Sequence, residues 1–150
     1  MATKTQYNVD RLLQDGLIRK IPPSREKAAE SIKTAHSWIK EAETNLGSNA
    51  IRSCIMSSYL AMFHAARGIL FADGFREKSH FAVARYLEDR YVSKGLLEAK
   101  WVALLDHFRE TRHDDQYSTT FFATREDAGS ALDSVRTFVK RVEELAAKIV

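Results

Sequence analysis

The sequence predicts an all-α protein built as an antiparallel helical bundle. Three observations point there. Apolar residues recur at steps of three and four through most of the chain, the spacing of one helix face. No segment alternates with period two, so no strand is predicted. The only two prolines are adjacent, Pro22-Pro23, and leave the rest of the chain without a proline breaker. Short connections then make successive helices antiparallel neighbours. The reading is four to five main helices plus a short N-terminal one.

The elements follow in order. Asn8 can cap a short helix through Val9, Leu12, Leu13, Leu17 and Ile21, which Gly16 weakens by about 1 kcal/mol relative to alanine. The proline pair separates this N-terminal helical extension, residues 1–23, from a bundle domain of residues 24–150. Ser24 is a good N-cap, and Glu26 sits in the first turn, where the helix dipole favours an acid. The stripe Ala28, Ile32, Ala35, Ile39, Ala42, Leu46 marks a long amphipathic helix ended by Gly47. Ser48 or Asn49 starts a central helix whose apolar face is Ile55, Tyr59, Met62, Phe63, Ala66, Ile69 and Leu70, with Gly74 at its end. Its many small residues (Ser57, Ser58, Ala61, Ala65, Gly68) permit close approach of neighbours, which places it mid-bundle.

Ser79 caps the next helix, with Phe81, Ala84, Leu87 and Tyr91 on one face and Gly95 just past its end. Leu97, Trp101, Leu104, Leu105 and Phe108 give a further helix that ends near Arg112. Asp114 to Ala123 shows no period and reads as a loop. Thr124 with Asp127 forms a variant capping box, and Ala128, Leu132, Val135, Val139, Val142, Leu145 and Ile149 define a terminal helix.

Composition bounds the function. The chain has 150 residues, 45% hydrophobic and 29% charged, the balance of one ordinary globular domain. A net charge of +3 permits a nucleic-acid partner without demanding one, because acids and bases are interleaved. The single cysteine, Cys54, falls inside the central helix and reads as a small buried hydrophobe. No apolar run approaches the roughly 20 residues of a membrane span, and the N-terminus lacks a signal-peptide pattern. The expectation is a cytoplasmic protein without membrane contact. His36, His64, His80, His107 and His113 form no i,i+4 pair, no His-Glu-x-x-His and no Cys partnership, so neither metal nor other cofactor is expected.

Chemistry is concentrated in three places. His64 and Arg67 lie one turn apart on the central helix; they suit either a neighbouring carbonyl and acid or a ligand. His80 follows the Ser79 cap, where unpaired backbone N–H groups can also receive an anion. Arg109-Glu110-Thr111-Arg112-His113-Asp114-Asp115-Gln116-Tyr117 gathers two arginines, a histidine and acids at a helix end. It reads as a salt-bridged terminus or as a polar site.

Tyr59-Leu60-Ala61-Met62-Phe63-His64-Ala65-Ala66-Arg67, then Gly74, then Lys78-Ser79-His80, resembles the signature of HEPN helical domains. Those prokaryotic proteins are often encoded beside a minimal nucleotidyltransferase. HEPN ribonucleases carry an arginine, usually followed by Asn, Asp or His, and a histidine a few residues on. Arg112-His113 matches the opening, but Tyr117 stands where the closing histidine is due. That ending is similar to the branch known as uncharacterised protein family 0332. The resemblance implies a homodimer with Arg112 near the subunit interface and a nucleotidyltransferase partner in a toxin–antitoxin-like module. It implies nucleotide or RNA binding through Arg109, Arg112, His64, Arg67 and His80. Two alternatives stand beside it. One is a metal-independent endoribonuclease, with Arg112 stabilising phosphate charge and Tyr117 or His113 moving the proton; the other is a non-catalytic interaction bundle.

Overall fold

The two longest apolar stripes become the two central helices, α2 (Arg25–Gly47) and α3 (Ile51–Asp73). They belong to a computed structural model that describes residues 7–117 and 123–149, apart from the side chains of residues 113–117 and 149. Before them come α1 (Val9–Gln14) and β1 (Ile18–Lys20); after them come β2 (Phe75–Glu77), α4 (His80–Leu87), a π turn at Glu88–Val92, α5 (Ala99–Tyr117) and α6 (Arg125–Ile149). The all-α bundle is confirmed, with one small two-stranded ribbon added to it.

α3 is the hub. It packs most extensively against α2 and also meets α4, α5 and α6. A Cβ on Gly68 would lie 3.2 Å from Ile32 Cγ1 and 3.3 Å from the Ala28 carbonyl, so the small residue sets the α2–α3 spacing. By length and mean hydropathy alone α3 could cross a bilayer, contrary to the sequence expectation, but 67% of its apolar window is buried inside the bundle. Cys54 is buried as expected. α6 buries Ala128, Leu132, Val135, Val139, Val142 and Leu145 in one stripe.

Caps at three helix starts match the sequence. The Asn8 Oδ1 accepts from Arg11 N–H and the Ser24 Oγ from Lys27 N–H. Thr124 and Asp127 close a reciprocal box at 2.9 and 3.1 Å. Ser79 occupies the N-cap of α4 without a side-chain bond. α3 is preceded not by a Ser48 or Asn49 cap but by Ala50, after Asn49 turns left-handed at φ 61°.

The first helix stops earlier than its apolar stripe suggests. Gly16 at φ 69° lets Leu17 N–H reach the Leu12 carbonyl and Gly16 N–H reach Leu13, a Schellman ending. Leu17 and Ile21 therefore leave the helix. The chain extends instead, and Ile18, Arg19 and Lys20 pair antiparallel with Glu77, Arg76 and Phe75. Three residues are too few to display a period, which is why the ribbon has no sequence signature. α5 differs in the other direction, running through Asp114 and Asp115 to Tyr117 where a loop is predicted. A helix nucleated on a packed segment propagates on backbone bonds without an apolar face.

Candidate functional site

Tyr59, Phe63 and Arg67 step by four along α3, so they rise up one side of that helix. The start of α4 lays His80 across this row. Its ring stacks on Phe63 with centroids 3.9 Å apart and planes 18° from parallel. Its Nδ1 is 2.7 Å from the Tyr59 hydroxyl. His64, next to Phe63 on α3, meets that ring edge-on at 5.7 Å. From α5, the Arg112 guanidinium lies 5.4 Å over the Tyr59 ring, and on α3 the Arg67 guanidinium lies 4.8 Å over Phe63. Two aromatic rings thus form a floor on which two cations and two imidazoles stand.

The charges are unequal. Arg67 donates through Nε at 2.7 Å and Nη2 at 2.5 Å to Glu77 Oε1, so its charge is largely offset. Glu77 is buried, held there by the β1–β2 ribbon. The described residues place no carboxylate against Arg112. Burial pushes the Tyr59 phenol up to about 12, against the opposing pull of Arg112 and Arg109. Burial, then the nearby Arg112 cation, pushes the His80 imidazole down to about 4. His64 is lowered too, by burial and by Arg67. Both imidazoles are therefore neutral at neutral pH.

Of the residues singled out in the sequence, His64, Arg67, His80 and Arg112 come together. Arg67 finds its acid on a strand, not on the neighbouring helix, and the Ser31 hydroxyl bonds the His64 carbonyl at 2.6 Å. Arg109 stands apart, over the Phe81 ring at 5.5 Å and 3.5 Å from both Asp106 and Glu110. Arg109 and Arg112 are not in a last turn, because α5 continues to Tyr117. The side chains of His113 and Tyr117 lie outside the described residues. Among the described residues no group of His, Cys, Asp or Glu is arranged to hold a metal ion.

Sequence reasoning missed the floor, taking Tyr59 and Phe63 as core, and missed Glu77. A Tyr-x3-Phe-x3-Arg row on one helix side was the available signal. It missed also Arg85, wholly buried in α4 and paired with Asp106 of α5. Beside the cluster, a groove of about 280 Å³ runs between α2 and α3, from Lys27 and Glu30 to His64 and Arg67. A larger, mainly apolar cleft of about 370 Å³ between α3, α5 and α6 contains none of the cluster residues.

Comparison with known proteins places the chain in a family. The HEPN domain family matches residues 28–145. A UPF0332 protein of Pyrococcus horikoshii is 27% identical over 95 residues, covering 63% of this chain and 67% of its own. A protein of Methanocaldococcus jannaschii, named as a candidate toxin, is 24% identical over 125 residues, 83% of this chain and 92% of its own. The first of these names is that of the UPF0332 branch which the sequence resembles. The chain belongs to the HEPN domain family.

Proposed function

We propose that this chain is the nucleotide- or RNA-binding component of a toxin-like HEPN module. The observation that carries the reading is the convergence of Arg112, His80, His64 and Arg67 on an aromatic floor. Phosphates are recognised by guanidinium groups and N–H donors, which the buried Tyr59 and Phe63 rings hold in place. The toxin-like role is supported by the M. jannaschii relative's name. In this reading two copies of the chain pair so that their clusters adjoin, and a minimal nucleotidyltransferase is the partner protein.

The test is binding of a labelled single-stranded oligoribonucleotide and of adenosine monophosphate. Arg112→Ala is expected to weaken binding by roughly tenfold or more, the worth of a charge-assisted hydrogen bond. Arg112→Lys should rescue only part, because an ammonium cannot make the two-pronged phosphate contact. Wild-type protein with no affinity for either probe would sink the reading and leave an interaction bundle. Metal-independent RNA cleavage, lost in Arg112→Ala and in Tyr117→Phe, would make the protein an endoribonuclease instead.

A further inference from the structure

The Tyr59 hydroxyl and His80 Nδ1 share one hydrogen, and which of them carries it decides what His80 can do. Tyr59 is 1% exposed, and among the described residues its hydroxyl has one partner, His80 Nδ1 at 2.7 Å. If Nδ1 carried the hydrogen, it would donate to the phenol oxygen. The phenol's own O–H would then be buried with no acceptor, an arrangement folded proteins avoid. The phenol must donate. Nδ1 is therefore the acceptor, and in a neutral imidazole the hydrogen sits on the other nitrogen, Nε2. The raised phenol and the lowered imidazole agree, since both keep the groups uncharged. His80 is half-buried, and its Nε2 makes no hydrogen bond among the described residues. The stack on Phe63 fixes the plane of the ring.

The same tyrosine also holds Arg112 over its ring face. We propose that Tyr59 is the positioning residue of an anion site in which His80 Nε2–H and the Arg112 guanidinium donate to one phosphate group. His80 is then a hydrogen-bond donor and not a proton acceptor. Its neighbours are Tyr59, His64 and Arg67 from α3, Glu77 from β2 and Arg112 from α5. Arg67 takes up Glu77 Oε1; Oε2 is buried without a hydrogen-bond partner, and His80 Nε2 makes no hydrogen bond to it. The ligand half of this proposal rests on the nucleotide- or RNA-binding reading; the tautomer does not.

Two measurements test it. Long-range proton–nitrogen NMR on the ligand-free protein, with the His80 signal assigned by its loss in His80→Gln, should show the hydrogen on Nε2. In Tyr59→Phe the signal should move toward a tautomer mixture. A wild-type Nδ1–H form would overturn the proposal whatever binds. Affinity for a single-stranded oligoribonucleotide should fall about fivefold in Tyr59→Phe and in His80→Ala. It should be largely kept in His80→Gln, whose amide N–H takes the place of Nε2–H. Loss in His80→Gln equal to that in His80→Ala, or unchanged affinity in Tyr59→Phe, would refute the donor role. Melting curves of all three variants separate unfolding from lost contact. Wild-type protein with the Nε2–H tautomer that binds neither the oligoribonucleotide nor adenosine monophosphate would overturn the ligand half together with the functional reading.

Discussion

Arg85 is the most exacting residue in the fold. Its side chain is 0% exposed, and it sits among Ala82, Val83, Tyr86 and Leu87, which are buried as well. Nη2 donates to Asp106 Oδ2, while Nε is 3.6 Å from Glu88 Oε1 on a side chain that is 31% exposed. Nε and Nη1 have no hydrogen-bond partner. Among the described residues Asp106 is thus the one close, buried carboxylate for this cation. Removing one partner of a buried pair strands the other, at a cost of about 3–5 kcal/mol. The Glu88 carboxylate offsets part of that at longer range, so Asp106→Ala is expected at about 3 kcal/mol, the low end. For a chain of this size that is a fall in melting temperature of roughly 6–12 °C. Urea denaturation and calorimetry would measure it. Replacing both partners, Arg85→Met with Asp106→Leu, should recover most of the loss, since the fully buried cation goes with its carboxylate while Arg109 keeps Glu110. A single mutant within about 2 °C of wild type, or a double mutant worse than the single, would refute the account.

Three further outcomes are expected. Phe63→Ala removes a buried ring that also carries His80, and should cost about 3–5 kcal/mol by calorimetry. Gly74 lies at φ 90°, where a Cβ would fall 2.9 Å from Pro23 Cγ and 3.0 Å from the Ile21 carbonyl. Gly74→Ala should therefore cost about 2 kcal/mol or more, read from the urea midpoint. His80 titrates near 4 in the folded chain, against its ordinary value of 6.5, because burial disfavours its charge. Between those values the unfolded chain holds the proton and the folded chain does not, so stability rises with pH across the window and is lost as pH falls through it. Melts between about pH 4 and 6.5 should show a flatter slope for His80→Gln than for wild type.

Helices with a buried stripe were legible from their residues: α2, α3 and α6 lie where Ala28–Leu46, Ile55–Leu70 and Ala128–Ile149 place them. Their spacing is the physical cause of their burial, so reading it is reading the fold. The β ribbon was not legible, because its hydrogen bonds join residues remote in sequence and its strands are three residues long. The extension of α5 past Arg112 was hidden because it needs no apolar face. Arg85 was passed over for a related reason. A charge inside an apolar run looks like a surface interruption until the facing helix supplies Asp106. In the cluster, His64, Arg67, His80 and Arg112 were each visible as chemistry. Their meeting on Tyr59 and Phe63 was not, since an aromatic on an apolar stripe serves as core and as floor alike.

The ribbon that joins β1 to β2 also ties the start of the chain to the middle of it. The Arg67–Glu77 ion pair is local, its partners ten residues apart, whereas the Ile18–Glu77 pair joins residues about 60 apart and bears the larger loop-closure entropy. Register matters as much as closure. A slip of one residue would present Arg76 where Glu77 belongs and set cation against cation. Ile18, Arg19 and Lys20 thus act as a fastener for the strand that carries the carboxylate of the site.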